Sequence, residues 1–265
     1  MPQTPRTAVF LDLDGTLWEA AVVPASALEA IRAAQANGHK ILTNTGRARS
    51  EVTDLTYLGL DGFCFAAGAE VILDGETVVH EPIGAEAAKA IARVFDELGF
   101  NYNLEAGDDA WIKVNNEEDY RVIRAYAAGT PDPIFSVQPA HEMPEEAWPR
   151  ILKLFYHGTD IDYEQVKALM PEDVTLTYLA PGLAEATSAR ASKATAMEAV
   201  RAKLGPAWRT MAVGDSDNDL PMLHAADISV AMGNGNENAK AAATWVTTTI
   251  GDRGLWNAFK HFGLI

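Results

Sequence analysis

The sequence predicts an α/β protein whose core is a doubly wound, Rossmann-like parallel sheet, with a second α+β domain inserted into it. Two observations lead to this fold class. Short apolar segments alternate with segments of helical periodicity near both ends of the chain, which is typical of a parallel sheet covered by helices on both faces. The middle third mixes helices and strands in a different order, with several prolines between them. A chain of 265 residues is long enough to form both domains.

The N-terminal elements repeat the order strand, turn, helix. An apolar run over 8–13 breaks at Asp14-Gly15, as a buried parallel strand does at its end. Further along, Asp74-Gly75 is typical of a hairpin turn. The predicted elements are a strand over 8–13, a helix over 25–38, a strand and polar turn over 39–47, a helix over 48–58, and a strand with a hairpin over 62–81.

The C-terminal third returns to the same alternation, whereas the middle third does not. Predicted C-terminal elements are a helix over 192–205, a strand over 210–215, a helix near 220–225, a strand over 228–233 and a helix from about 236. Predicted middle elements are helices over 85–98, 117–128 and 161–170, and strands over 100–104, 109–114, 151–157, 174–179 and 182–187. We therefore expect a core domain formed by 1–82 and 187–265, and an inserted domain formed by 83–186.

The chain is strongly acidic, with 21 Lys and Arg against 37 Asp and Glu and a formal charge of −16. A negative field of this size repels phosphate backbones and anionic lipids, so nucleic acid and membranes are poor candidate partners. It would also repel a phosphorylated metabolite, unless a cation and a few basic groups reverse the sign locally. The composition therefore gives a first, weak indication of a metal site.

Targeting signals and disulfides are not expected. The sequence has no apolar run long enough to cross a bilayer, and the N-terminal apolar run is interrupted almost at once by Asp12 and Asp14, unlike a signal peptide. The single cysteine, Cys64, has no internal partner for a disulfide and lies in an apolar run. These features predict a cytoplasmic protein. The sequence leaves the oligomeric state open.

Polar side chains follow three of the predicted strands, at the point where each strand ends. Asp12 and Asp14 end the first strand, the tripeptide Thr45-Gly46-Arg47 ends the second, and Asp215 with Asp219 ends a third. Ligands of open α/β sheets bind in the crevice beyond the carboxyl ends of the strands. We therefore expect the three groups to converge.

Converging carboxylates of this kind suit the chemistry of phosphoryl transfer. Asp12 and Asp14 are two residues apart on a strand, so their side chains point the same way unless the chain bends. Such carboxylates repel each other, which favours a shared proton or a divalent cation. Adding Asp215 gives an all-oxygen cluster, which suits Mg²⁺ better than zinc. With Thr45 and a lysine nearby, one carboxylate could attack phosphorus while the other handles the proton of the leaving group.

Each motif alone has an ordinary structural interpretation. An isolated Asp-x-Asp is usually a turn, and a Thr-Gly-Arg sequence can be a helix N-cap followed by a surface arginine. The acidic stretch at 214–219 could be a solvated loop or part of a calcium site, and Lys193 alone could be a solvated side chain. The functional interpretation depends on their occurring together, in order, at strand ends.

These motifs resemble those of the haloacid dehalogenase-like (HAD) phosphohydrolases, specifically the Cof-type branch, which has a large cap domain inserted after the second motif. The resemblance covers nearly the whole chain. The matching stretches are DLDGTL at 12–17, Thr45 within TGR, Lys193 just before a helix, GDSDND at 214–219 and AMGNGNENAK at 231–240.

The resemblance implies roles for individual residues and a Mg²⁺ cofactor. Asp12 would be the nucleophile and a metal ligand, and Asp14 would be general acid and then base, binding the metal through its backbone carbonyl. Asp215 would be a direct metal ligand. The remaining implied roles are phosphoryl binding by Thr45, the Gly46 amide and Lys193, and support of these groups by Asn218, Asp219 and Arg47.

The substrate implied is a small phosphorylated metabolite, such as a sugar phosphate, chosen by the cap. One departure concerns this choice, because many members of the branch carry Asn-Gly-Ala where this chain has Ala67-Gly68-Ala69. The missing asparagine would remove a substrate contact. Two alternatives stay open at this stage: a phosphotransferase or mutase using the same aspartyl-phosphate, and a non-catalytic relative that binds a ligand.

Overall fold

The computed structural model describes residues 5–52, 55–116, 137–157 and 160–265. The predicted helix over 117–128 lies outside these residues. The chain divides into two compact units. We call the first the core unit; it consists of Met1–Gly46, Asp54–Val79 and Ser192–Ile265. We call the second the cap unit; it consists of Arg47–Thr53 and His80–Ala191.

The core unit is built on an eight-stranded sheet in the order β14-β13-β12-β1-β2-β3-β4-β5, with strands numbered along the chain. Its strands are β1 (Thr7–Leu11), β2 (Lys40–Asn44), β3 (Gly62–Phe65), β4 (Glu70–Leu73), β5 (Glu76–His80), β12 (Arg209–Gly214), β13 (Ile228–Ala231) and β14 (Trp245–Val246). The six strands from β14 to β3 pair in parallel, and β4 pairs antiparallel with β3. The predicted doubly wound fold class is confirmed.

The central strand of this sheet is buried along its whole length. All five residues of β1 are buried, which explains why its sequence is an uninterrupted apolar run rather than an alternating one. Leu11, the last residue of β1, lies opposite Thr43 in β2 and Val213 in β12. The three parallel strands therefore end at one edge of the sheet, and the residues that follow them start from neighbouring positions.

The described residues of the core unit form the helices α1 (Ala25–Ala36), α4 (Lys193–Leu204), α5 (Leu220–Ala225), α6 (Glu237–Ala242) and α7 (Gly254–His261). The start of α4 is set by a capping arrangement. The Ser192 side chain accepts a hydrogen bond from the Thr195 N–H, and the Thr195 hydroxyl accepts one from the Ser192 N–H. This places Lys193 at the first residue of the helix.

The cap unit contains a six-stranded sheet in the order β10-β11-β9-β6-β7-β8. Its elements are α2 (Ala85–Glu97), β6 (Asn101–Ala106), β7 (Asp109–Lys113), β8 (Val137–Pro139), β9 (Lys153–His157), α3 (Tyr163–Lys167), β10 (Val174–Ala180) and β11 (Leu183–Ser188). The predicted middle elements agree with these within a few residues, apart from the helix outside the described part.

Side chains alternate between the two faces of the cap sheet. On one face Phe95 of α2 packs with Tyr102, Tyr156 and Phe100, and Phe100 also packs with Tyr156, at ring-centroid distances of 4.7–5.6 Å. The neighbours in sequence point to the opposite face, where the strands present Asn103, Glu105, Lys153 and Glu185. One face therefore forms the apolar core of the unit. The other, which we call the polar face, carries these polar residues beside Ile112 and Phe155.

The predicted helix over 48–58 is wrong. Within the described residues, this stretch forms two short 3₁₀ turns, Arg49–Glu51 and Thr56–Leu58. The Ser50 N–H donates to the carbonyl oxygen of Gly107 at 2.9 Å, and the Glu51 side chain pairs with Lys153. Tertiary partners within the cap unit thus replace the local bonds that a helix would make.

No helix in the described part of the chain is long and apolar enough to cross a membrane.

Candidate active site

Two predicted site residues, Asp12 and Thr45, directly follow parallel strands, and each makes one backbone hydrogen bond to a neighbouring strand. The Asp12 N–H donates to the carbonyl oxygen of Val213 at 3.0 Å, and the Thr45 N–H donates to the carbonyl oxygen of Cys64 at 2.9 Å. Both residues are almost fully buried. Their backbones are therefore fixed by the sheet, although neither residue lies within a strand.

Lys193 connects the N-terminal and C-terminal motifs. Its Nζ donates to Asp12 Oδ1 at 2.6 Å and to Asp219 Oδ1 at 2.5 Å, and the residue is 2% exposed. Burial alone would lower the pKa of Lys193, but the adjacent carboxylates of Asp12 and Asp219 outweigh it and raise this pKa above its ordinary value. Lys193 is thus a cation held permanently beside Asp12.

Asp219 organises the loop after β12. Its Oδ2 accepts hydrogen bonds from the N–H groups of Asp215 at 2.8 Å and Ser216 at 3.1 Å, while Oδ1 holds Lys193. A Cβ at position 214 would lie 2.5 Å from the Asp219 side chain, so only glycine allows the loop to fold back this closely. These contacts give a physical reason for the spacing of the Gly-Asp-x-x-Asn-Asp motif.

Three carboxylates converge at this edge of the sheet. Oxygens of Asp12, Asp215 and Asp219 all lie within 4.8 Å of one another. Burial is the main cause that raises the pKa of Asp12 well above its ordinary value, with repulsion from Asp219 and Asp215 adding to it against the attraction of Lys193. Burial and repulsion from Asp219 raise the pKa of Asp215 to about 6, although the Thr16 hydroxyl donates to it at 3.2 Å. Lys193 alone therefore does not offset the burial and mutual repulsion that oppose ionisation of these carboxylates.

This donor set fits a hard divalent cation. It contains only oxygen, so Mg²⁺ suits it better than a softer metal. Its ionised carboxylates would repel one another at a partly buried site, and a divalent cation would remove this repulsion. Both oxygens of Asp219 are already engaged by Lys193 and by backbone N–H groups. Asp12 and Asp215 are therefore the carboxylates that could hold the ion.

Asp14 is not a member of the carboxylate cluster that contains Asp12. Strand β1 ends at Leu11, before both residues, so the rule that strand residues two apart share a face does not apply to them. The charge of Asp14 nevertheless contributes to the raised pKa of Asp215. The Asp14 carboxylate is exposed and accepts a hydrogen bond from the indole N–H of Trp18 at 3.0 Å. Within the described residues, the third carboxylate of the cluster is Asp219 rather than Asp14.

Gly15 allows this turn to approach the loop after β12. Its φ is +80°, and a Cβ there would lie 2.6 Å from Asp215 Oδ2. Its carbonyl oxygen accepts a hydrogen bond from Asn234 Nδ2 at 2.7 Å. The absence of a side chain at position 15 is thus a condition for the close approach of the two motifs.

The Thr45-Gly46-Arg47 motif spans the boundary between the units. Thr45 and Gly46 belong to the core unit, whereas Arg47 belongs to the cap unit. Arg47 donates from Nη1 to the carbonyl oxygen of Glu51 at 3.4 Å.

Asn218 lies in the loop of Asp215 and Asp219, where its side-chain oxygen accepts from the Ser216 hydroxyl at 2.8 Å.

The departure at position 67 lies in an unusual turn. Ala66 and Ala67 have φ values of +48° and +52°, a left-handed conformation that residues other than Gly, Asn and Asp adopt at a cost. The Ala67 N–H donates to the carbonyl oxygen of Thr45 at 2.9 Å. A Cβ on Gly68 would overlap the carbonyl oxygen of Ser192. The turn thus packs between Thr45, which precedes Gly46, and Ser192, which precedes Lys193.

Sequence reasoning missed three supporting residues. Thr16 donates to Asp215, Asn44 donates from Nδ2 to the carbonyl oxygen of Lys193 at 2.8 Å, and Asn234 joins Gly15 to the N–H of Ile250. Asn44 could have been found as a polar residue at the end of an apolar strand, and Asn234 lies in the stretch 231–240 already singled out. Thr16 likewise lies in the stretch 12–17 already singled out, although no role was given to it.

The fold and this arrangement define the class of protein. The model of the haloacid dehalogenase-like hydrolases matches residues 9–259, so the chain belongs to that family. Its class is that of the HAD-type phosphatases, as the sequence motifs predict.

Individual relatives are similar over their full length. Phosphatase YwpJ of Bacillus subtilis (strain 168) is 29% identical over 280 aligned positions, which cover 96% of this chain and 98% of that protein. The HAD subclass IIB sugar phosphatase BT4131 superposes with a TM-score of 0.82 at 28% identity, covering 98% of this chain and 100% of that one. The phosphatase BT1666 from Bacteroides thetaiotaomicron superposes with a TM-score of 0.83 at 29% identity, covering 100% and 97%.

Proposed function

We propose that this protein is a Mg²⁺-dependent phosphomonoesterase that hydrolyses a small phosphorylated metabolite, such as a sugar phosphate, through an aspartyl-phosphate on Asp12. The observation that carries the proposal is the buried contact of Asp12 with Lys193, itself fixed by Asp219. A carboxylate beside a permanent cation at the carboxyl ends of parallel strands suits attack on an anionic phosphoryl group. The similarity to phosphatase YwpJ and to the sugar phosphatase BT4131 supports the same activity.

In the first step an Asp12 carboxylate oxygen attacks phosphorus, and the bond between phosphorus and the ester oxygen breaks. Asp14 donates a proton to the departing alkoxide, which leaves as an alcohol. In the second step a water molecule attacks the phosphorus of the aspartyl-phosphate and gives its proton to Asp14. The bond between Asp12 and phosphorus then breaks, so that inorganic phosphate leaves and both carboxylates return to their starting states.

The groups around Asp12 would neutralise and orient the phosphoryl oxygens. Lys193 supplies a fixed positive charge, while the Thr45 hydroxyl and the Gly46 N–H supply hydrogen-bond donors. Mg²⁺, held by Asp12, Asp215 and the Asp14 carbonyl, would offset the repulsion between the carboxylates and the substrate. Asn218 and Asp219 support this arrangement, and we assign Arg47 a supporting role beside Gly46.

The inserted domain, which we place at 83–186, would select the leaving group. The core domain of 1–82 and 187–265 would then carry the phosphoryl chemistry alone. Ala67 removes a side chain that could contact the leaving group, so the preferred metabolite could differ from those of relatives with asparagine at this position.

A panel of phosphate monoesters tests the proposal. The wild-type protein is incubated with Mg²⁺ and with sugar phosphates, other phosphorylated metabolites and a generic aryl phosphate, and released phosphate is measured. We expect turnover that stops with a chelator and with Asp12→Asn. Asp217→Asn is a matched control, because Asp217 is an exposed carboxylate of the same loop whose partners are the side chains of Asn236 and Asn238. Lack of turnover of every monoester would refute the phosphatase, and interconversion of isomers without phosphate release would indicate a mutase.

A further inference from the structure

A buried charged cluster lies on the polar face of the cap sheet. Lys153 is 2% exposed, and its Nζ lies 3.1 Å from Glu105 Oε2 and 3.6 Å from Glu185 Oε2. It also pairs with the Glu51 carboxylate, at a shorter distance than either of the others. Burying such charges costs several kcal/mol per ion, and apolar residues of similar volume often give equal stability. The cluster therefore calls for a role beyond stability.

Glu51 differs from the other members in its position along the chain. Lys153, Glu105 and Glu185 come from adjacent strands of one sheet, and they would be neighbours in any case. Glu51 comes from the segment 47–52, which follows directly on Gly46. The Lys153–Glu51 pair thus attaches a chain segment to the sheet, rather than joining two strands that are already paired.

Further contacts show how closely this segment is held within the cap unit. The Glu51 Oε2 that meets Lys153 also accepts the Ala48 N–H at 2.7 Å, and the Glu51 carbonyl oxygen accepts from Arg47. Arg49 pairs with Asp108 at 2.9 Å. Glu51 therefore links the two parts of this arrangement, because its side chain binds Lys153 of the sheet and its backbone carbonyl binds Arg47, next to Gly46.

The charges agree with an ionised pair at the centre of the cluster. Burial alone would raise the pKa of Glu51, but Lys153 outweighs it and the net shift is downward. Burial, with repulsion from Glu51, raises the pKa of Glu105 to about 8. Glu51 is therefore ionised beside Lys153, and the carboxylates of Glu105, Glu51 and Glu185 together raise the pKa of Lys153 above its ordinary value despite its burial.

We infer that Lys153 and Glu51 are positioning residues for phosphoryl binding. Their ion pair fixes the segment 47–52 in the cap unit, and this segment is joined by a single peptide bond, from Arg47 to Gly46, to the turn that binds the phosphoryl group. The inference rests on the proposed function for the role of Thr45 and Gly46. It does not depend on which metabolite is the substrate, because the pair acts on the phosphoryl group that all monoesters share.

Three variants separate this role from the others that the cluster could have. Glu51→Gln keeps the size of the side chain and removes its charge, and Lys153→Met removes the cation. Glu185→Gln is the matched control, because Glu185 is also buried beside Lys153 but lies on strand β11 and not on the segment. Thermal stability is measured for each, and it is expected to fall in all three.

Binding of inorganic phosphate in the presence of Mg²⁺, measured by calorimetry, is the primary measurement. Since a displacement of about 1 Å in a catalytic arrangement can cost about 10²-fold, we expect Glu51→Gln to weaken phosphate binding by about tenfold or more. Glu51→Gln should lower kcat/KM by the same factor for an aryl phosphate and for a metabolite. The Lys153→Met/Glu51→Gln double variant should bind phosphate no more weakly than the single variants, since both remove one interaction. Glu185→Gln should bind phosphate like the wild type.

Two outcomes would overturn the inference. If Glu51→Gln binds phosphate as the wild type does, the pair has a structural role only. If Glu51→Gln loses activity on the metabolite while the aryl phosphate and inorganic phosphate are unaffected, the cluster recognises the leaving group instead. Failure of the proposed function is distinguishable from both, because it is a lack of turnover in the wild type, whereas phosphate binding is measured without turnover.

Discussion

Replacement of Lys193 by methionine tests the buried contact on which the proposed function depends. The substitution keeps an unbranched side chain, with sulfur in place of one methylene, and removes the ammonium group. Asp12 and Asp219 would lose the Lys193 Nζ, which lies 2.6 Å and 2.5 Å from their carboxylate oxygens. The site is buried, since Lys193 is only 2% exposed. Breaking a buried ion pair by removing one member costs about 3–5 kcal/mol, because the remaining charge is left without compensation.

The effect on catalysis follows from the same geometry. Removal of one preorganised group that stabilises charge in a transition state costs about 10²–10³ in kcat. We therefore expect Lys193→Met to lower the free energy of unfolding by about 3–5 kcal/mol and to abolish nearly all turnover. The first quantity is measured by urea denaturation at neutral pH without Mg²⁺, and the second by phosphate release with Mg²⁺.

A matched control lies on the same helix. Lys203 pairs with Glu76 at 3.1 Å, but both side chains are more than half exposed. Exposed pairs contribute about 0–1 kcal/mol, so Lys203→Met should change neither the stability nor the activity appreciably. Adding Asp219→Asn to Lys193→Met should recover part of the lost stability without restoring activity. If Lys193→Met were no less stable than Lys203→Met, or if it kept its activity, the reasoning would be refuted.

Three further predictions concern other positions. Ala67→Gly should raise the free energy of unfolding in urea by about 1 kcal/mol, because glycine adopts the left-handed conformation without strain, and a fall in stability would contradict this. Gly15→Ala should lower kcat for any monoester by at least about tenfold, since the new Cβ would displace Asp215, and unchanged kinetics would argue against this close approach. Glu105 has an ordinary pKa of 4.5 in the unfolded chain and a pKa of about 8 in the folded protein. Between these two pH values the folded state keeps a proton that the unfolded state loses, so the contribution of Glu105 to stability decreases as the pH rises. Glu105→Gln should therefore become progressively more stable relative to the wild type from about pH 5 to about pH 8, and a constant difference in urea denaturation would exclude the raised pKa.

The sheet and the strand ends could be predicted because the information lies in local sequence. Strand β1 is buried on both faces, so its sequence is continuously apolar and the polar residue after it stands out. The same reasoning found Thr45 and Asp215. The carboxyl ends of parallel strands share one edge of the sheet. The positions at which the strands end were therefore sufficient to predict that Asp12, Thr45 and Asp215 converge.

The composition of the carboxylate cluster was less predictable. Whether Asp14 joins Asp12 depends on where β1 ends and on the turn that follows, and a shift of one residue changes the direction of a side chain. In the structure the Asp14 carboxylate accepts a hydrogen bond from the indole N–H of Trp18 and is not part of the cluster. Asp219 takes the place next to Lys193 because the loop after β12 folds back over Gly214.

The segment after Gly46 was mispredicted because its partners are distant in sequence. Its apolar residues have helical spacing, but the Ser50 N–H and the Glu51 carboxylate bind Gly107 and Lys153. Such contacts involve residues more than fifty positions away, and no local pattern reports them. The buried cluster around Lys153 was missed for the same reason, since charged residues on strands are usually read as exposed.

The central claim is that Asp12 carries the phosphoryl group during turnover. It is tested most directly by mixing the protein with Mg²⁺ and the best substrate of the panel, quenching in acid within the first turnover, and analysing the peptides by mass spectrometry. We expect the peptide that contains Asp12 to gain the mass of one phosphoryl group, and we expect no gain in Asp12→Asn. If phosphate is released while this peptide stays unmodified at every quench time, or if the label lies on another peptide, the covalent mechanism on Asp12 is wrong.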